Sequence, residues 1–320
     1  MVELKRTLGV RSFADIQVYR DGKLRCELKD CGNDLLDGWF NLWLGTWQNS
    51  VVNNGVLKLG EGGGPTSYAM TTLESAKLLT SSSYYGYNGD AATYSNETID
   101  EGGNNYVIYT AARVFSYTVG GWTGTLRELG MHVDGWHVNS SGQTKTVQTR
   151  IVLPQELVIT SDDQLVITYK FKVKMLNEIT TEVVQAMYNK VPVDVTVTHT
   201  PGKFTDASKI LDNYHNSSGY ANSDYFFFSN IGVGAKNASL PMNSREITGV
   251  MRSHSVDAVN KTRTATITIT ADKANYAENE IAHLTFNSID HPSKWSFDPP
   301  IPKTNRHIVK MSFVTKVERL

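Results

Sequence analysis

Residues 165–173 read Leu165-Val-Ile-Thr-Tyr-Lys-Phe-Lys-Val173, and from Ile167 onward apolar and polar side chains alternate. In an extended chain, successive side chains point to opposite faces, so this alternation predicts a β-strand with one buried face. The preceding Ser161-Asp-Asp-Gln164 follows a second apolar run, Leu157–Thr160. The two runs and the polar residues between them predict a β-hairpin.

The same period-2 pattern recurs along the chain between clusters of Gly, Asn, Ser and Pro. The clearest further runs are residues 147–153, 193–199, 264–270 and 308–314. Many short strands with few helices are typical of β-sandwiches and jelly rolls. We therefore predict an all-β protein with few short helices.

Two segments carry a helical pattern. In Leu35–Trp43 the apolar residues Leu36, Trp39, Phe40 and Trp43 have the spacing of one helix face, and Asn33 or Asp34 could cap it. Thr205–Tyr214 is its expected counterpart later in the chain.

The chain also predicts an internal duplication, because four blocks recur in the same order. Ordered recurrence of different blocks is a signature of repeated architecture. The matched blocks begin at Asp15 and Asp194, Met70 and Met242, Arg113 and Arg263, and Gln164 and His307; within the third pair, Leu126–Val133 also matches Ile281–Phe286.

We expect two tandem β-sandwich or jelly-roll-like domains from this duplication. The first domain is predicted over residues 1–176, with longer loops, and the second over residues 193–320. Residues 177–192 are predicted to link them. A chain of 320 residues is long enough for two domains that each bury a core.

Composition narrows the function classes. The net charge is −1 and the predicted pI is 6.7, so nucleic-acid binding is not expected. The two cysteines, Cys26 and Cys31, favour reduced structural thiols. No apolar run has the length of a membrane span, and the N-terminus lacks the apolar core of a signal peptide. We therefore expect a protein that folds in a cytoplasm.

No residue pattern selects a catalytic, cofactor or metal site. His132 and His137 flank Asp134, but such clusters are more often polar loops than metal sites. Glycoside hydrolysis needs two carboxylates that face one another, and nothing in the sequence selects a pair. The candidates considered are Glu128, Asp134, Asp162, Asp163, Glu278 and Glu280. We predict a protein that is not an enzyme, with no cofactor and no metal.

Two further motifs have structural interpretations. Gly60-Glu-Gly-Gly-Gly64 is followed by Pro65 rather than by the Lys-Ser/Thr of a phosphate loop, which favours a tight β-connection or a close approach of another backbone. Arg127 and Glu128 could form an ion pair within one strand.

One segment favours binding. Residues 81–106 concentrate Tyr, Ser, Asn and Gly, a composition that combines rigid aromatic anchors with adaptable polar contacts. The candidate contact residues are Tyr84, Tyr85, Tyr87, Tyr94 and Tyr106. Contact with a neighbouring subunit, contact with a glycan or receptor, and an idle loop all remain open.

The order of elements resembles that in structural proteins of tailed bacteriophages, such as tail, baseplate or neck-appendage components. The resemblance covers roughly residues 10–175 and, more weakly, the second half. It is carried by Asn33–Gly38, Gly60–Pro65, the strands at Leu73 and Arg113, Leu126–Met131, Thr149–Pro154 and Asp163–Tyr169.

This resemblance implies a virion protein that is synthesised in the host cytoplasm and assembles as a homo-oligomer with other virion proteins through loops and sheet edges. The first alternative is a tail adhesin that binds a host receptor or surface glycan through the five tyrosines. Two others are a glycan-degrading enzyme and a cellular carbohydrate-binding module, for which a monomer is expected.

Overall fold

The computed structural model describes most of the chain. The described residues are 2–44, 55–77, 86–87, 89–133, 147–188, 191–202, 225–229, 245–246, 251–272, 280–288 and 291–320. They contain nineteen β-strands and one α-helix, so the predicted all-β class is confirmed.

The strands alternate with turns from one end of the described chain to the other. In chain order they are β1 (Val2–Arg20), β2 (Lys23–Leu35), β3 (Gly55–Gly60), β4 (Ala76–Lys77), β5 (Gly86–Tyr87), β6 (Thr93–Glu101), β7 (Asn104–Ser116), β8 (Gly124–Val133), β9 (Thr149–Ile159), β10 (Asp163–Leu176), β11 (Thr180–Tyr188), β12 (Val191–Pro201), β13 (Tyr225–Ser229), β14 (Arg245–Glu246), β15 (Met251–Asp257), β16 (Thr262–Ile269), β17 (Glu280–Ser288), β18 (His291–Pro302) and β19 (Val309–Arg319). The helix α1 spans Asp37–Leu44.

Strand β10 confirms the interpretation of the opening sequence. Its side chains alternate between buried and half-buried positions along nearly its whole length. Leu165, Ile167, Tyr169, Phe171 and Val173 point into the core. The other face carries Lys170, Lys172 and Lys174, whose stems and ammonium groups stay accessible to solvent.

Strand β1 organises the molecule because its two halves have different partners. Residues 8–20 pair antiparallel with β10. Residues 2–10 pair in parallel with β19. Residues 12–20 pair antiparallel with β2. Since residues 8–10 pair with both β10 and β19, these two strands lie on opposite edges of β1.

The first core lies between two β layers. One layer contains β6, β7, β10, β1 and β2, and the other contains β9, β8 and β3, which is bordered by β4 and β5. Inward-facing side chains from both layers form one apolar cluster, for example Ile167 with Leu129 and Ile151. This arrangement is a β-sandwich.

The second core is built in a similar way and shares strands with the first. It contains side chains from β16 and β19 on one side and from β12, β17 and β18 on the other. Val2 and Leu4 of β1 belong to this second core, whereas Leu8 and Val10 of the same strand belong to the first. Val317, near the end of β19, also packs in the first core. One continuous sheet therefore runs through both sandwiches.

Strand pairing follows the same order in the two halves. In the first half the order is β1-β2-β9-β8-β3-β4, with β6-β7-β10 beside it. In the second half it is β11-β12-β18-β17-β13-β14, with β15-β16-β19 beside it. The blocks at Arg113 and Arg263, and at Gln164 and His307, fall on or next to corresponding strands, β7 with β16 and β10 with β19. The duplication itself and the domain bounds stay predictions.

One predicted match differs from this order. Asp15 lies in β1 and Asp194 in β12, but β12 occupies the place of β2. The place of β1 belongs to β11, which lies within the segment predicted as a linker and pairs with β12 along its whole length. The mismatch arises because every alternating strand resembles every other one when its partners are unknown.

Helix α1 begins close to the predicted position. Leu36 before it and Trp39 and Phe40 within it are buried, as the helical spacing predicts. The predicted cap is wrong, because Asn33 and Asp34 belong to β2. The second predicted helix, Thr205–Tyr214, lies outside the described residues.

Candidate subunit-contact surface

Glu128, one of the carboxylates considered for glycoside hydrolysis, is held inside the fold. Glu128 and Arg150 are both fully buried, with Arg150 Nε 2.8 Å from Glu128 Oε2. Arg150 also donates to Glu74 Oε2 at 3.2 Å and to the carbonyl of Gly64 at 3.0 Å. Glu128 accepts a further hydrogen bond from the backbone of Ser75 at 2.7 Å. This cluster is a structural ion network because its members satisfy one another.

The glycine-rich segment wraps around this network. A Cβ atom on Gly60 would lie 2.7 Å from the carbonyl oxygen of Ser75 and 2.6 Å from Glu128 Oε1. A Cβ on Gly62 would meet Glu74 and Glu128 at comparable distances. The interpretation of this segment as a close backbone approach is confirmed. The predicted ion pair within the strand is wrong, because Arg127 bonds to Glu156.

Asp163 is a second buried carboxylate, and neighbouring cations and hydrogen-bond donors compensate its negative charge. Arg20 and Arg25 contact its two oxygens at 3.0 and 2.7 Å, and the backbone of Thr160 donates to it at 2.8 Å. Burial alone would raise the pKa of Asp163, but these hydrogen bonds together hold it well below its usual value. The carboxylate therefore joins β1, β2 and the β9–β10 turn.

The proposed histidine cluster is only partly described. His132 is buried in β8, whereas Asp134 and His137 lie outside the described residues. Within the described ranges, no three His, Cys, Asp or Glu side chains gather as a metal site would require. Of the other carboxylates considered, Glu280 begins β17 and Glu278 is not described.

The five tyrosines do not form one described group. Tyr84 and Tyr85 lie outside the described residues, and for Tyr87 only the backbone of β5 is described, paired with Leu57. Tyr94 packs partly against the first core from β6. Tyr106 begins β7 next to the half-buried Lys174, whose Nζ lies 4.1 Å from the ring centre. Both described side chains therefore belong to the β6–β7 hairpin, and their contact role stays a prediction.

Strand β6 forms an acidic edge of the long sheet. In the described part of the chain it pairs only with β7, and most of its side chains are exposed. It carries three acidic residues, of which Glu97 and Glu101 contact Lys172 and Lys174 on β10. Asp100 is exposed between them. Sequence reasoning weighed this segment for its tyrosines and missed its acidic residues.

A groove on the second sandwich separates two strands that do not pair. We call it the β1/β11 groove. Two cavities lie along it. The larger, of about 240 Å³, lies between Val2 and the residues Met187 and Tyr188. The smaller, of about 100 Å³, lies between Lys5–Leu8 and Thr180. Strands β1 and β11 thus lie side by side in opposite directions. Among the described strands neither hydrogen-bonds to the other.

Each cavity is lined by a residue with a buried polar atom that lacks a hydrogen-bond partner among the described atoms. The residue is Tyr188, with its Oη, at the larger cavity and His199, with its Nε2, at the smaller. Burial raises the pKa of Tyr188. Burial, together with the nearby Arg6, lowers the pKa of His199 to about 4. Because buried polar atoms are normally hydrogen-bonded, both point to a missing partner.

The groove is basic and partly apolar. Lys5, Arg6, Arg306 and Lys310 line it. Glu3 next to Lys5, and Glu182 on β11, are the acidic residues within residues 2–8 of β1 and within β11. The exposed apolar side chains Met187 and Ile308 also line the groove, and Ile179, Val183 and Val191 are exposed on or next to β11. A natural sheet edge is usually protected by charge or proline, so this edge has the features of a contact surface.

Comparison with known proteins adds no relative. No protein-family model, no curated protein and no solved structure matches this chain. In the described part of the chain no helix is long and apolar enough to span a membrane.

Proposed function

We propose that this protein is a structural component of a tailed-bacteriophage virion, in the tail, baseplate or neck. It is synthesised in the host cytoplasm and incorporated there into the particle. It assembles with further copies of itself and with other virion proteins. Its function is contact rather than catalysis.

The observation that carries this proposal is the presence, in the described part of the chain, of two oppositely charged strand edges that pair with no other strand. The acidic edge is β6, and the basic edge borders the β1/β11 groove. Strand β1 contributes side chains to both cores, which favours a block that keeps its two edges at a fixed separation. A part with fixed edges can be added repeatedly in an assembly.

The phage context is supported by the order of the strands and loops along residues 10–175. The all-β architecture fits that context without requiring it. The adhesin alternative rests on the tyrosines, of which Tyr94 and Tyr106 have described, partly exposed side chains.

The test is to purify phage particles from a host that carries this gene and to identify their proteins by mass spectrometry. We expect the protein in the particles at a fixed copy number, with native mass spectrometry of the purified protein giving multiples of its 35.5 kDa mass. A protein that is absent from particles and monomeric at all concentrations contradicts the proposal.

A further inference from the structure

We propose that the β1/β11 groove of one copy binds the acidic edge strand β6 of a second copy. This inference rests on the homo-oligomer in the proposed function and identifies the surfaces that form it. The partner is this chain itself, and the contact joins two different surfaces.

The first argument is charge. The groove presents Lys5, Arg6, Arg306 and Lys310, with Glu3 beside Lys5. Strand β6 presents the exposed Asp100 and also carries Glu97 and Glu101, which contact Lys172 and Lys174. A contact between two copies of the groove would bring four cations against four cations, and a contact between two copies of β6 would bring acids together. Because like charges across an interface cost several kcal/mol, the pairing of β6 with the groove is favoured over both.

The second argument is that each of these strands pairs along one edge only among the described strands. Residues 2–7 of β1 are paired on the β19 side only, and β11 is paired on the β12 side only, within the part of the protein that the structure describes. Strand β6 likewise has one paired edge, with β7. Edge strands carry a row of unused N–H and C=O groups, and adding a strand from another chain satisfies them.

The third argument is the pair of buried polar atoms. Tyr188, which lines the larger cavity, and His199, which lines the smaller, each have a buried polar atom, Oη and Nε2, without a hydrogen-bond partner in the described chain. Polar and acidic side chains of an incoming strand, such as those of Asn96, Thr98 and Asp100, supply acceptors for the tyrosine hydroxyl and partners for the imidazole. A purely apolar occupant would leave both atoms unsatisfied.

The comparison of the two halves gives the fourth argument. In the first half, β10 pairs with β1 and completes the sheet. In the second half, β19 pairs with the first part of β1, and β11 has no equivalent partner in the described residues. The groove is thus the place where the second half lacks a pairing that the first half has.

The test uses two complementary variants of the full chain. The strand variant carries Thr98→Lys and Asp100→Lys, which leave the contacts of Lys172 with Glu97 and of Lys174 with Glu101 intact. The groove variant carries Arg306→Glu and Lys310→Glu. A control for the groove variant carries Arg11→Glu and Lys23→Glu, which also replace two cations by acids, at exposed positions outside the groove.

We expect the wild-type protein and the control to self-associate with increasing concentration in analytical ultracentrifugation. Each interface variant alone should associate on the order of a hundredfold more weakly, since like charges then oppose one another. An equimolar mixture of the two variants should form one-to-one dimers, because the intact β6 of the groove variant meets the intact groove of the strand variant. Circular dichroism checks that all three variants are folded.

Three results overturn the inference: a wild-type protein that stays monomeric, interface variants that associate as the control does, or a mixture that forms no dimers. The outcome is separable from the phage role. Dimers in the mixture together with absence from particles refute the phage role alone. Presence in particles together with normal association of both variants refutes this contact alone.

Discussion

Arg150 Nε lies 2.8 Å from Glu128 Oε2, and neither side chain is accessible to solvent. The pair connects the neighbouring strands β8 and β9, and the loop containing Gly60–Gly64 folds over it. A buried charge without its partner is far more costly than the intact pair is stabilising. The first sandwich therefore depends on both residues being present together.

We predict that Arg150→Met destabilises the protein by about 3–5 kcal/mol, because it leaves Glu128 buried without its cation. Urea unfolding followed by tryptophan fluorescence measures the change. The matched control is Arg127→Met, which breaks the exposed pair with Glu156 and should cost less than about 1 kcal/mol. Equal losses in the two variants would contradict the structural role of the buried pair.

Gly60→Ala tests the close approach of the loop. The added methyl group would lie 2.7 Å from the carbonyl oxygen of Ser75, so we expect a loss of about 1–3 kcal/mol from overpacking. Gly32→Ala in β2 is the control, since no atom lies within 4 Å of its added methyl group. Thermal unfolding compares the two, and an unchanged midpoint for Gly60→Ala would show that the loop is not closely packed.

We predict that the buried carboxylate of Asp163 makes the stability of the folded protein decrease in acid. Its pKa is lower in the folded protein than in the unfolded chain because Arg20, Thr160 and Arg25 bind the carboxylate. Its contribution to stability is therefore complete above the unfolded value, near pH 4, and is lost as the pH falls towards the folded value. In Asp163→Asn, we expect lower stability at pH 7 and a shallower decline below pH 4, measured by urea unfolding at each pH. Asp162→Asn, at an exposed turn position, should keep the wild-type slope.

Replacing Tyr84, Tyr85, Tyr87, Tyr94 and Tyr106 by alanine distinguishes scaffold from adhesin. If the protein is a scaffold, we expect too few complete particles, counted by electron microscopy. Complete particles that have lost adsorption to host cells would instead support the adhesin. Tyr94→Ala alone separates stability from contact, because this side chain packs partly on the first core and its loss should lower the unfolding midpoint.

The all-β class and the individual strands could be predicted because they depend on local alternation. The run quoted at the outset spans residues 165–173, and β10 extends over Asp163–Leu176. The helix that contains Trp39 and Phe40 could also be predicted, because the spacing of its apolar residues is a local pattern.

Partner choice could not be predicted in the same way. Nothing in Val2–Val10 indicates parallel pairing with β19, because the alternation of a strand does not encode which strand lies beside it. Arg127 lies at a register irregularity of β8 between Leu126 and Glu128, and there its side chain is exposed while that of Glu128 is buried. Arg150 is the last of three consecutive polar residues in the run 147–153, and its role depends on contacts with residues more than twenty positions away.

The parallel pairing of β1 with β19 also sets the order in which the molecule can be completed. Arg6 and Thr315 are hydrogen-bonded although 309 residues separate them. During synthesis on the ribosome, the start of β1 emerges long before its partner exists, so the sheet that joins both sandwiches closes only after nearly the whole described chain has been translated. Until β19 has been synthesised, the backbone groups of residues 2–10 of β1 that pair with it are exposed. A chaperone that binds extended segments would bind the nascent chain there.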